Sequence, residues 1–157
     1  VGSHSVTHPC LGGSSSCRRA NGRVYSYSQA VSEIQGGHQA VYDVLGWVDP
    51  FFRFPYGESS PELKNYLRQA QVAEFFWSID SEDWKATSNR QLLDKVWAQL
   101  DARGRGVILF HDIQRRTAEI MPQFLSELYY KGYSVVQIQP ADPEARYKSK
   151  IVRRNKP

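Results

Sequence analysis

Residues 106–112 read GVILFHD: a glycine, four apolar residues, then a histidine and an aspartate. A short apolar run bounded by Gly and ended by polar residues is the pattern of a strand buried on both faces of a parallel sheet. The polar tip falls at the strand's C-terminal end, the edge where α/β folds gather their functional groups. Two further stretches repeat the arrangement. FFRF (51–54) runs into Pro55, Tyr56 and Gly57, and VAEFFWSID (72–80) runs into Ser81, Glu82, Asp83 and Trp84.

Helical patterns separate these strands. From Gln29 to Leu45, Ala30, Val31, Ile34, Val41, Val44 and Leu45 recur at near-helical spacing before Gly46, although Gly36 and Gly37 interrupt the run. SSPELKNYLRQAQ (59–71) opens on a Ser cap with Pro61 in its first turn. RQLLDKVWAQLDAR (90–103) is capped by Ser88 or Asn89 and closed by Gly104, and TAEIMPQFLSELYYKG (117–132) is a helix carrying Pro122. YSVVQIQ (133–139) is predicted as a last strand, and no periodicity follows Pro140. Strands alternating with helices define an α/β chain built of parallel βαβ units.

A length of 157 residues suits one domain, and 41% hydrophobic with 23% charged residues excludes a disordered chain. No apolar run approaches the roughly 18 residues a membrane span needs. The chain starts directly on polar, motif-like sequence without a signal peptide, which suggests that it begins partway through a longer protein. The net charge of +4 is unevenly placed. Arg146, Lys148, Lys150, Arg153, Arg154 and Lys156 are basic with no acid among them, and the rest holds 14 basic against 16 acidic residues. A nucleic-acid-binding face is therefore not expected in the body, and the basic tail either meets an anionic surface or is simply solvated. Cys10 and Cys17 flank a Gly/Ser-rich stretch whose spacing fits a small disulfide loop, hence an oxidising compartment, or else two free neighbouring thiols.

HSVTHP (4–9) places His4 and His8 four apart, the spacing of the helical HExxH zinc motif. Position 5 is Ser, so the Glu base is missing, and Pro9 disfavours helix at His8. The pair belongs to a loop, where two imidazoles can still meet one ion. There is no GxSxG elbow, phosphate-cradling Gly loop or CxxC pair.

HSVTHP, RFPYG, DSEDW and LFHD, in this order, resemble four signature motifs of the polysaccharide deacetylase family, the NodB-like carbohydrate esterases of family 4, across about residues 2 to 138. The resemblance implies a NodB-type distorted (β/α) barrel of which this chain covers only part. Residues 1–139 would be the C-terminal portion of the catalytic domain, with 140–157 a basic tail. It also implies a metal-dependent hydrolase that removes acetyl groups from glycans. His4 and His8 match the family's metal-binding histidines, holding Zn²⁺ or another divalent ion. Arg53 matches the arginine that orients a catalytic aspartate, and Pro55 and Tyr56 the positions beside the oxyanion, held there by the tyrosine N–H. His111 matches the general acid, and Asp83, rather than Asp80, the carboxylate that holds it. Leu109 and Trp84 match the lining of the acetyl pocket, although simple core packing would also account for both.

The family's Asp-Asp pair, which supplies a general base and a third metal ligand, is missing; no two aspartates are adjacent in this sequence. The expected explanation is that the pair lies upstream of Val1. A glycan-binding relic without activity is the alternative, and a binder of nucleic acid or anionic surfaces through the tail alone is a second. Peptidoglycan is the expected substrate, ahead of chitin-like oligomers and acetylated xylan, which points to a secreted, periplasmic or envelope location. No protein partner is evident.

Overall fold

The computed structural model describes residues 1–152, and Arg153, Arg154 and Lys156 of the basic tail lie outside them. The chain divides into two compact units, one formed by Val1–Phe75 with the described residues from Ile138 on, the other by Phe76–Gln137.

In the first unit, helix α1 (Ser15–Asn21) is followed by α2 (Tyr27–Leu45), strand β1 (Phe51–Phe52), α3 (Pro61–Gln69) and β2 (Ala73–Glu74). The start of α2 is fixed by a capping box, in which the Ser26 side chain accepts from Gln29 N–H and Gln29 accepts from Ser26 N–H. Gly36 and Gly37 do not break this helix. They face the segment around Ser5 and Val6, where a Cβ on either would meet atoms at 2.5–2.8 Å. Ala30, Ile34, Gly37 and His38 form the buried face, spaced as one side of a helix should be. Ala30 and Ile34 join Leu11, Phe52, Phe54, Leu63, Leu67, Val72 and Ile151 in one core. β1 pairs with β2 in parallel, Phe51 against Ala73. Ser3 joins the other edge of β1: its N–H donates to Phe51 O (3.0 Å) and its carbonyl accepts from Arg53 N–H (3.1 Å).

Cys10 and Cys17 are disulfide-bonded and both buried, with Cα atoms 4.8 Å apart. The intervening Ser-rich stretch is not only a loop. Ser14 accepts from Cys17 N–H and starts α1, a helix that composition alone does not announce. Part of the basic segment is also held within this unit. Ile151 is 5% exposed in the core, and the Arg146 guanidinium lies 3.1 Å from the Asp49 carboxylate and over the Trp47 ring.

The second unit holds β3 (Ile79–Asp80), α4 (Asn89–Arg103), β4 (Ile108–Leu109) and α5 (Arg115–Tyr130). β3 and β4 pair in parallel, Asp80 against Leu109. Ser88 is the cap of α4, its side chain accepting from Gln91 N–H. Ile79 packs among Leu92, Val96, Leu100, Ile120, Phe124 and Leu128, drawn from the apolar faces of both helices. Pro122 sits inside α5 without ending it.

Two strand expectations need correction. VAEFFWSID is not one strand. Phe75 N–H still donates to Phe52 O, whereas Ser78 and Ile79 N–H donate to Val107 O, so the run changes partner across Phe76 and Trp77. YSVVQIQ forms no strand among the described residues, and Val135 and Val136 are exposed. Alternating apolar residues favour an extended chain, but a strand exists only where a neighbour completes its ladder. Among the described residues no helix is long and apolar enough to cross a membrane.

Candidate active site

The first unit carries five of the residues singled out in sequence, His4, His8, Arg53, Pro55 and Tyr56. His4 follows Ser3 directly, so the pairing of Ser3 with β1 brings the imidazole alongside Arg53. His4 Nδ1 lies 2.7 Å from Arg53 O. A carbonyl only accepts, so Nδ1 carries the proton and the lone pair sits on Nε2. The Arg53 guanidinium, a donor only, approaches that nitrogen at 3.3 Å, which agrees with the assignment. His8 lies beyond a loop with two left-handed residues, Ser5 at φ 69° and His8 itself at φ 57°. Proline after His8 was expected to exclude helix, and the loop bears that out, though by a positive φ rather than an extended conformation. Ser5 Oγ accepts from His8 N–H at 3.1 Å, closing the loop. The two imidazole centroids stand 4.8 Å apart, and the Tyr56 ring is 5.1 Å from that of His8. Pro55 is buried, while Tyr56 is left-handed at φ 60° and 56% exposed in the turn after β1.

Nδ1–H donation to a backbone carbonyl is the tautomer of a ligating histidine, although here the Nε2 lone pair of His4 accepts from the Arg53 guanidinium. Were a divalent cation bound, the His4 and His8 imidazoles, with centroids 4.8 Å apart, could supply two of its ligands, His4 Nε2 exchanging its Arg53 contact for the ion. Among the described residues, no group of three His, Cys, Asp or Glu side chains completes such a site.

The second unit carries the rest. Asp83 is 2% exposed, and its carboxylate accepts three hydrogen bonds. They come from His111 Nδ1 at 2.6 Å, His111 N–H at 2.7 Å and the Thr117 hydroxyl at 2.6 Å. Burial pushes this carboxyl's pKa up, but the Thr117 and His111 donors together outweigh it and hold it below the usual carboxylate value. His111 thereby keeps Nδ1 protonated and turns Nε2 outward, the ring being 29% exposed. Asp80 does not share this role. Its carboxylate accepts from Trp77 Nε1 at 3.2 Å and from Glu82 N–H at 3.0 Å.

Leu109 is buried on β4, whereas Trp84 is 57% exposed, so core packing does not account for Trp84. Trp84 lines a cavity of about 360 Å³ with Asp83, Gln114, Arg115, Arg116 and Glu119. Thr117 was not foreseen; its place at the start of an amphipathic run hides a polar role, and only its position six residues after His111 hinted at it.

In the second unit a buried carboxylate clamps a partly exposed histidine at the end of β4, and in the first a histidine pair stands beside Arg53 after β1. The chain belongs to the polysaccharide deacetylase family, carbohydrate esterase family 4. No protein-family model matches it. Its structure is similar to that of the peptidoglycan deacetylase Bd3279 of Bdellovibrio bacteriovorus, with a TM-score of 0.84 and 53% identity, covering 98% of this chain and 40% of that one. It is 30% identical over 138 residues to the peptidoglycan-N-acetylmuramic acid deacetylase PdaC of Bacillus subtilis, over 88% of this chain. The peptidoglycan-N-acetylglucosamine deacetylase PgdA of Listeria monocytogenes is equally similar, at 30% over 138 residues. The chain spans 26% of the length of each of these two relatives.

Proposed function

We propose that this chain carries part of the catalytic machinery of a hydrolase that removes acetyl groups from N-acetylated glycans, with peptidoglycan the leading substrate. The observation that carries the reading is the Asp83–His111 pair, a buried ionised carboxylate fixing an outward imidazole. Binding a sugar requires no such pair, whereas a general acid does. In the reaction, water gives a proton to the aspartate base as it adds to the acetyl carbonyl, and the C–N bond breaks. The departing amine takes the Nε2 proton of His111 in its imidazolium form, Nδ1–H staying on Asp83. Acetate and a free amino sugar result. The backbone N–H of Tyr56 holds the oxygen as it gains charge, a donor typically worth about 3 kcal/mol of barrier. Leu109 and Trp84 line the acetyl pocket, and Pro55 sets the turn that presents Tyr56.

His4 and His8 would hold Zn²⁺ or another divalent cation, which when bound polarises the carbonyl and lowers the pKa of water. Arg53 orients the aspartate base that the family supplies. The two parallel strand pairs are read as part of a NodB-type distorted barrel. A wall-directed substrate and the Cys10–Cys17 disulfide favour a secreted, periplasmic or envelope location.

The test is acetate release from peptidoglycan and from N-acetylglucosamine oligomers with Zn²⁺ supplied. His111→Ala should lower release at least 10²-fold while zinc affinity stays unchanged. A native protein that binds glycan without releasing acetate would instead be a relic.

A further inference from the structure

The loop 4–8 is held by more than its own turns. Glu33, near the middle of α2 and remote in sequence, spends its whole carboxylate on it. Oε2 accepts from Val6 N–H at 3.0 Å and from Thr7 N–H at 2.9 Å, and Oε1 accepts from the Thr7 hydroxyl at 2.9 Å. Those amides lie between the two histidines. One turn further along the same helix, Gly37 passes so close that a Cβ would stand 2.8 Å from the Ser5 carbonyl. Gly36 likewise leaves room for the Val6 side chain, where a Cβ would meet Cγ2 at 2.5 Å. Residues three and four apart share one helix face, so Glu33, Gly36 and Gly37 present one continuous seat to the loop. The following residue, His38, lies beneath with Nδ1 2.7 Å from Ser3 Oγ, the residue before His4.

A loop with left-handed Ser5 and His8 does not adopt that path by preference, because non-glycine residues rarely take positive φ. Something must select it. We infer that Glu33 is a positioning residue for the His4–His8 pair: by binding the amides of Val6 and Thr7 it sets the loop conformation, and with it the separation and direction of the two imidazoles. The inference rests on the reading of His4 and His8 as ligands of a divalent cation. Glu33 touches neither substrate nor ion; it acts through the backbone between two side chains. The Gly36-Gly37 dipeptide, a defect by helix propensity, is what lets the helix approach closely enough for the carboxylate to reach.

The experiment is calorimetric titration of the full chain with Zn²⁺ alone, for the native protein, Glu33→Ala and Glu33→Gln. Ala removes every acceptor, whereas Gln keeps an oxygen for the amides. Supporting groups of this kind typically change metal affinity about 10–100-fold. Glu33→Ala is expected to weaken zinc binding at least about tenfold, with Glu33→Gln restoring most of the loss. Native-like zinc affinity in Glu33→Ala would overturn the inference. The metal-free histidine ring resonances supply a second reading. Shifts at His4 and His8 in Glu33→Ala, reversed in Glu33→Gln, support the positioning role; unchanged rings overturn it. If the native chain takes up no zinc at all, the ligand reading of the pair fails by itself, and the ring resonances still decide the part played by Glu33.

Discussion

Asp83 Oδ1 stands 2.6 Å from His111 Nδ1, and Asp83 Oδ2 takes both the His111 amide and the Thr117 hydroxyl. One buried carboxylate thus fixes the ring and the backbone of the same residue. Asp83→Asn would put an amide NH₂ or a single oxygen where three donors now converge. We expect a loss of about 3 kcal/mol in stability and a fall in acetate release of at least 10²-fold. Urea unfolding and acetate assays read the two separately.

Thr117 can be tested more gently. Thr117→Val keeps the shape and removes one donor, which should cost about 1–2 kcal/mol. Thr117→Ser should recover most of it. A valine variant with native stability and activity would show that two donors suffice for Asp83.

Acid should weaken the fold in two stages. Burial lowers the pKa of His38 below its ordinary 6.5, against the opposing bond to Ile34 O. The unfolded chain then binds the proton more readily, so stability is lost as pH falls below about 6.5, by at most about 1.4 kcal/mol per pH unit. Asp83, held below its ordinary 3.8, favours the folded state at higher pH and loses that contribution as pH falls through its native value. Urea midpoints from pH 7.5 to 3 should show both stages, and His38→Gln should flatten only the first.

The disulfide closes a short loop between two buried sulfurs, seven residues apart in sequence. Cys10→Ser with Cys17→Ser should lower stability by about 2–3 kcal/mol. Thermal unfolding with and without reductant checks it in the native chain.

Ile151 is buried in the first unit's core, within the segment expected to be a basic tail that meets an anionic surface or is solvated. Ile151→Ala should cost about 2–4 kcal/mol. A neutral result would remove this segment from the core's energetics.

How far the sequence could be read depended on whether a residue's partner lay nearby. The stop of α2, the cap of α3 and the cap and stop of α4 were legible because Gly46, Ser60, Ser88 and Gly104 act within a turn or so. The choice of Asp83 over Asp80 came from the family motif; in the structure Asp83 lies against His111 and Asp80 against Trp77. Thr117 and Glu33 escaped notice because each looks like an ordinary helical residue until the fold brings its distant partner close. The last strand was misjudged for the converse reason. Val135 and Val136 have the right side chains, but a ladder needs a second strand, and no side-chain pattern reports its whereabouts.

The contact between Ser3 and β1 has a chemical side. In that alignment the Arg53 carbonyl reaches His4 Nδ1. A slip of one residue would turn the arginine to the opposite face. The imidazole would then lose the acceptor that decides which nitrogen is protonated. A choice between two isomers of one side chain is thereby written into the alignment of two backbones, so a fault in folding here would surface as a fault in proton placement.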